Sequence, residues 1–345
     1  MKNVLFTTTA IAGLALSSAA FAASHSSGNF GISGSTDVGY NDDIEGGIFM
    51  ETNIDIKASK DAGNGFMIGG HARLNLDWYE GAGQVASDPE FKSIYVETPV
   101  GKLEYADSFD GTGASDKFYK DRDGMAEDMT NGDGHNGIMW SGDLGDFGYA
   151  IDSGNLEGNS TVNNGDHYTI GAGGSFGAID VGLGWENDSH EGAGQVLGVS
   201  VDFSAGPADI GLSYIDSDVE TSIGIAASAE IAAGLTIGAY YASNDIALDE
   251  YGVLLDYANG PFGVGIDYHT GESGFTDNFE IDVSYAVNSY VTLYAGYDDA
   301  SGDQYVGAEI MIADGINATL AYSEGDEVGG PEFKDGTSAF LSLTY

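Results

Sequence analysis

The sequence predicts an all-β fold: a transmembrane antiparallel β-barrel of about 16–20 strands. Three observations carry this. The last nine residues, 337–345, alternate two faces and stop on an aromatic. Ala339, Leu341, Leu343 and Tyr345 point one way, and Ser338, Phe340, Ser342 and Thr344 the other, which is the period of two of a strand. Segments with the same alternation recur from residue 30 to the end. The stretches between them alternate long and short, as in barrels with long loops on one membrane face and tight turns on the other.

The first element is not a strand. Lys2, the apolar run Val4–Leu16 and the small-x-small step Ala20-Phe21-Ala22 form a secretory signal peptide. Residues 1–22 are therefore expected to be cleaved, leaving 23–345 as one barrel domain. The apolar run is shorter than the ~20 residues a spanning helix needs. No later stretch is apolar enough for such a helix, so strands must do the spanning. An export signal and a terminal aromatic strand together predict the outer membrane of a Gram-negative cell.

Alternation then defines the strands in order. Apolar faces read Ile48, Met50, Thr52, Ile54, Ile56, then Phe66, Ile68, Ala72, Leu74, Leu76, Trp78. They continue through Ile179–Trp185, Ile210–Tyr214, Leu235–Tyr241, Phe262–Tyr268, Phe279–Tyr285, Val291–Tyr297 and Ile316–Tyr322. About twenty such segments occur, and no helical period competes. Expected connections run 41–46, 59–64, 79–90, 98–101, 107–136 and 143–146, and the alternation continues to 323–335. This requires an even strand count with both termini periplasmic. Strands of ~9–11 residues are expected from the thickness to be crossed. Tyr214, Tyr241, Tyr268, Tyr297 and Tyr322 precede the outer loops, and Phe176, Phe203, Tyr257 and Tyr285 the inner turns. These are the two aromatic girdles of a membrane barrel.

Composition narrows the function. The net charge is −45, or −46 once residues 1–22 are removed, which rules out phosphate-mediated binding of nucleic acid. There is no Cys, hence no disulfide, thiol catalysis or Cys-bound zinc. The six His are scattered and no Gly-x-Ser-x-Gly occurs, so nothing predicts an enzyme. High Gly (54 residues) with only 5 Pro fits curved sheet. A secreted calcium-binding β-rich adhesin would share the Gly and Asp richness but would carry a nonapeptide repeat, which is absent. A structural barrel without a channel is the other alternative.

Residues 107–136 form one connection far longer than its neighbours, and loops beyond ~15 residues in a compact fold are usually functional or disordered. The preceding segment, Phe91-Lys-Ser-Ile-Tyr-Val-Glu-Thr-Pro-Val-Gly-Lys-Leu-Glu-Tyr-Ala-Asp107, resembles the hairpin before loop 3 in the general diffusion porins of alphaproteobacteria, the Rhodobacter type. Gly-Lys-hydrophobic-Glu and a small-Asp step carry the motif. The resemblance covers 91–125 and 337–345 in motif and the remainder in architecture. It implies a third outer loop folded into the pore, a homotrimer in contact with lipid and lipopolysaccharide, and passive diffusion of ions and small hydrophilic solutes. Known members have sixteen strands, fewer than the tally here.

A constriction acts through opposed charges between low-dielectric walls. The loop offers Asp107, Asp110, Asp116, Asp121, Asp123, Glu127 and Asp128. Eight of the nine mature Lys and Arg lie within 57–122. Arg73 and His71 share the polar face of their strand, and an Arg facing lipid at mid-membrane would cost ~2–4 kcal/mol, so both are expected in the lumen. Lys57 and Lys102 are the further candidates nearer strand ends. The acid excess predicts a preference for cations. No cofactor is expected, although Asp121, Asp123, Glu127 and Asp128 are an oxygen-rich set that a calcium ion could use weakly.

Overall fold

A computed structural model describes residues 28–79, 85–106, 113–115, 117–126, 135–156, 166–188, 194–270, 277–299, 302–325 and 334–345. These form one all-antiparallel sheet of twenty strands and, among the described residues, no helix. The first seven are β1 (Gly28–Asn41), β2 (Ile48–Gly63), β3 (Phe66–Tyr79), β4 (Val85–Thr98), β5 (Gly101–Ala106), β6 (His135–Leu144) and β7 (Phe147–Leu156). Next come β8 (Asp166–Phe176), β9 (Ile179–Asp188), β10 (Gly194–Ala205), β11 (Ala208–Ser217), β12 (Thr221–Ala232), β13 (Leu235–Asn244) and β14 (Glu250–Asn259). The last six are β15 (Phe262–His269), β16 (Asn278–Asn288), β17 (Val291–Asp298), β18 (Gln304–Ala313), β19 (Ile316–Glu324) and β20 (Gly336–Thr344).

Each strand pairs with its successor, and β20 pairs back onto β1. At this seam Val38 faces Leu341, and Gly34 and Tyr345 exchange backbone hydrogen bonds of 2.7 and 3.0 Å. Closure removes the sheet edge, whose bare N–H and C=O groups would each cost several kcal/mol in hydrocarbon. An even number of antiparallel strands puts both ends of the barrel chain on one rim.

One face of the wall is apolar and outward: Leu197, Leu212, Tyr214, Ile223, Val253 and Leu320 are all exposed. The alternate positions point inward and are Gly, Ser, Thr, Asp and Glu in most strands. Nine two-residue turns line one rim, from 64–65 to 314–315. At Gly206-Pro207 the glycine has φ 67°, the positive value that a tight hairpin requires at its first central residue.

Three expectations are corrected. Strands are not uniform: β1 to β4 have 14 to 16 residues, and β5 has 6. β2 runs on to Gly63 rather than turning at 59, because charged residues cost little once a strand leaves the hydrocarbon. β4 begins at Val85 although Pro89 lacks an N–H, and its ladder with β3 slips by one residue at Lys92. Residues 1–22, expected from the sequence to be a signal peptide, lie outside the described residues.

Candidate functional site

The described part of the long connection, 113–115 and 117–126, lies on the inward face of the wall. Ala114 N–H donates to Asp152 Oδ2 on β7 (2.5 Å). Lys120 N–H donates to Ser200 on β10 (3.1 Å), and Ser213 on β11 donates back to the Lys120 carbonyl (2.5 Å). Asn244 on β13 donates to the Gly124 carbonyl (3.0 Å) and accepts from the Ala126 N–H (3.1 Å). This strap thus crosses the strands from β7 to β13 within thirteen residues, which an extended chain of ~3.3–3.6 Å per residue can span.

The wall makes room for it. A Cβ on Gly171 would sit 1.7 Å from the Ala114 carbonyl oxygen, and one on Gly182 would sit 1.9 Å from that of Phe118. Glycines 198, 211 and 224 similarly lie against Tyr119, Arg122 and Met125. Among the described residues, both buried apolar clusters lie at this contact. Ala114 and Phe118 pack with Ala106, Met139 and Ala150, and Tyr119 and Met125 pack with Val196 and Ile215. Burying one side chain of the size of Tyr119 contributes on the order of 2 kcal/mol.

Charge completes the attachment. Arg122 Nη2 lies 2.6 Å and Lys120 Nζ 3.4 Å from the carboxylate of Asp202 on β10. These strap bases were missed by reading the loop for acids. Their spacing, Lys117-x-x-Lys120-x-Arg122 in a chain otherwise so poor in bases, is the signal that could have found them.

The predicted basic residues lie on β2, β3 and β5. Asp55 on β2 is directly opposite Arg73 on β3. Arg73 Nε and Nη2 donate to its two oxygens (3.0 and 3.3 Å), and His71 Nε2 lies 2.7 Å from Oδ1. Lys57 is opposite His71 in register. Lys102 pairs with Glu104 (2.7 Å) above the Tyr95 ring, and Lys92 pairs with Glu90. Arg73, Lys92 and Lys102 are therefore each matched by a carboxylate.

Of the predicted acids, Asp121 is exposed and Asp123 half-buried on the strap. Asp107, Asp110, Asp116, Glu127 and Asp128 lie outside the described residues. Among the described residues no group of three or more His, Asp or Glu is arranged to hold a metal. Further inward acids lie on β14 to β18. Asp267 is in register with Glu280, and Glu280 with Asp298; Asp256, Asp282 and Glu309 complete that flank. Tyr305 donates to Asp282 (2.7 Å), and Tyr294 to Glu309 (3.2 Å). No Lys or Arg occurs anywhere in residues 123–333.

The sequence profile of Gram-negative porins matches residues 7–305. The chain belongs to the Gram-negative porin family. No curated protein matches it. Solved structures similar to this porin include two triple mutants of the porin of Rhodopseudomonas blastica. Each is 13% identical, with TM-scores of 0.45 and 0.46, over 92% of this chain and 100% of the other. A third, from work titled "Asymmetric conductivity of engineered proteins", is 13% identical with a TM-score of 0.47 over the same shares. Membership makes this porin an outer-membrane channel and not an enzyme. Its channel is the space enclosed by the inward faces of the twenty strands.

Proposed function

We propose that this porin is a cation-preferring diffusion channel for ions and small hydrophilic solutes, assembled as a homotrimer after cleavage at residue 22. The observation that carries the cation preference is the absence of Lys and Arg from 123–333, which includes all of β6 to β19. Among the described residues, Lys120 and Arg122 of the strap meet Asp202, and His269 lies 3.5 Å from Asp267. An unequal wall charge facing water raises the local concentration of the opposite ion. The strap reduces the free cross-section on its side of the barrel.

Single-channel recording of the mature protein in a planar bilayer under a salt gradient tests this. Insertions in groups of three steps and a reversal potential of cation sign are expected. A neutral or anion-selective reversal potential overturns the preference, and folded protein without conductance overturns the channel reading.

A further inference from the structure

Below the strap, toward the turns 177–178 and 206–207, two cavities adjoin. The larger, of about 310 Å3, is lined on the strap side by Lys120, Arg122 and Asp123 and on the wall by Asp180, Asp202 and Asp209, with Asp202 reaching the strap bases. The smaller, of about 250 Å3, shares Lys120, Asp180 and Asp202 and adds Lys117. Space of a few hundred Å3 is what small organic solutes occupy in proteins.

The charges around it fall on two sides, the bases with Asp123 on the strap and the other acids on the wall. All three strap bases border these cavities, and no other Lys or Arg follows until 334. On the opposite side, Asp180 and Asp209 stand at equivalent places beside two neighbouring turns. Each accepts a hydrogen bond from the serine five residues earlier, Ser175 (2.5 Å) and Ser204 (2.6 Å). Arg122 is committed to Asp202 at 2.6 Å. Lys120 is held only loosely there, at 3.4 Å, and Lys117 and Lys120 are both exposed, as are Asp180 and Asp209.

A simple ion gains little between such layers, because attraction to one is offset by repulsion from the other. A solute with a carboxylate at one end and an ammonium at the other gains from both. We infer that the space under the strap is a binding subsite for small zwitterions of the α-amino-acid type. The carboxylate is turned to Lys117 and Lys120 and the ammonium to Asp180 and Asp209. This rests on the channel reading and adds a solute preference to it.

The test measures flux of L-alanine and of its uncharged isomer lactamide into liposomes carrying the porin. Alanine flux is expected to saturate while lactamide flux stays linear. The double variant Asp180→Asn/Asp209→Asn is expected to raise the half-saturating alanine concentration up to about fivefold, the scale of an exposed charge pair lost. Lactamide flux through the variant is expected to be unchanged, which also reports that it is folded and open. Alanine flux that is linear and equal to that of lactamide, or saturation unaltered in the variant, overturns the subsite alone. Liposomes passing neither solute overturn the channel reading and the subsite with it.

Discussion

At the scale of single residues, Arg73 on β3 is paired with Asp55 on the neighbouring strand. Its inward direction was legible because a mid-strand Arg cannot face hydrocarbon at ~2–4 kcal/mol. Its partner was not. Pairing with Asp55 depends on register, and register depends on where β2 ends. An expected turn at 59–64 offsets the ladder from the observed turn at 64–65, where a bulge between Asp61 and Gly63 takes up the difference. Because Asp55 already matches Arg73, replacing Arg73 with Asp removes a cation and leaves two carboxylates side by side. Arg73→Asp is expected to increase cation preference, read as a larger reversal potential in a salt gradient; an unchanged potential would take Arg73 out of the ion path. At the outer rim, Tyr241 donates to Asp249 (2.8 Å) and the Asn244 N–H to the same carboxyl (3.1 Å). These bonds, the tyrosine's first, hold the Asp249 carboxyl below the ordinary aspartate range. A lowered value means the contact stabilises the fold above the unfolded-state pKa and is lost as pH falls through the folded one. Tyr241→Phe is therefore expected to move the Asp249 titration upward, followed by carboxyl carbon NMR.

At the scale of elements, the strands were legible and the bed of the strap was not. Period-two alternation reports which face is apolar, and twenty segments with alternating connections follow from it directly. Inward glycines on β8 to β12 read in sequence only as curvature. Their second meaning, a flat place where another backbone lies, needs the closed barrel to bring 113–126 across them. The two readings separate experimentally. Gly171→Ala and Gly182→Ala place a methyl against strap backbone, where overpacking costs about 1–3 kcal/mol. Gly31→Ala meets nothing within 4 Å and serves as the comparison. The first two are expected to lift the strap and enlarge single-channel conductance with the folded barrel retained, while Gly31→Ala leaves conductance as it was. Equal conductance in all three would mean that the strap does not set the aperture.

At the scale of the whole molecule, closure works against charge. The seam is held by the β1–β20 ladder and, near the outer rim, by buried Asn41. This side chain donates to the Asp335 carbonyl (3.0 Å) and to Ser338 (2.9 Å), tying the last connection to the first strand. Against it stands a net charge of −45, part of it in register, as in the row Asp267, Glu280 and Asp298. Directly opposed like charges destabilise a sheet by ~0.2–1 kcal/mol per pair, and the chain has only ten Lys and Arg to offset its acids. Repulsion of this kind is screened: the Debye length is about 10 Å at 0.1 M salt and 3 Å at 1 M. The ion pairs of Arg73, Lys102 and Arg122 are also screened, so the sign depends on which population is larger, and here acids outnumber bases, 55 to 10. The barrel in non-ionic detergent is therefore expected to unfold at higher temperature in 1 M than in 0.1 M sodium chloride, followed by tryptophan fluorescence. Asn41→Ala should lower both midpoints and keep the difference between them, because a hydrogen-bonded seam and a screened field act independently. A midpoint that falls with salt would mean that the few ion pairs outweigh the acid excess in holding the barrel closed.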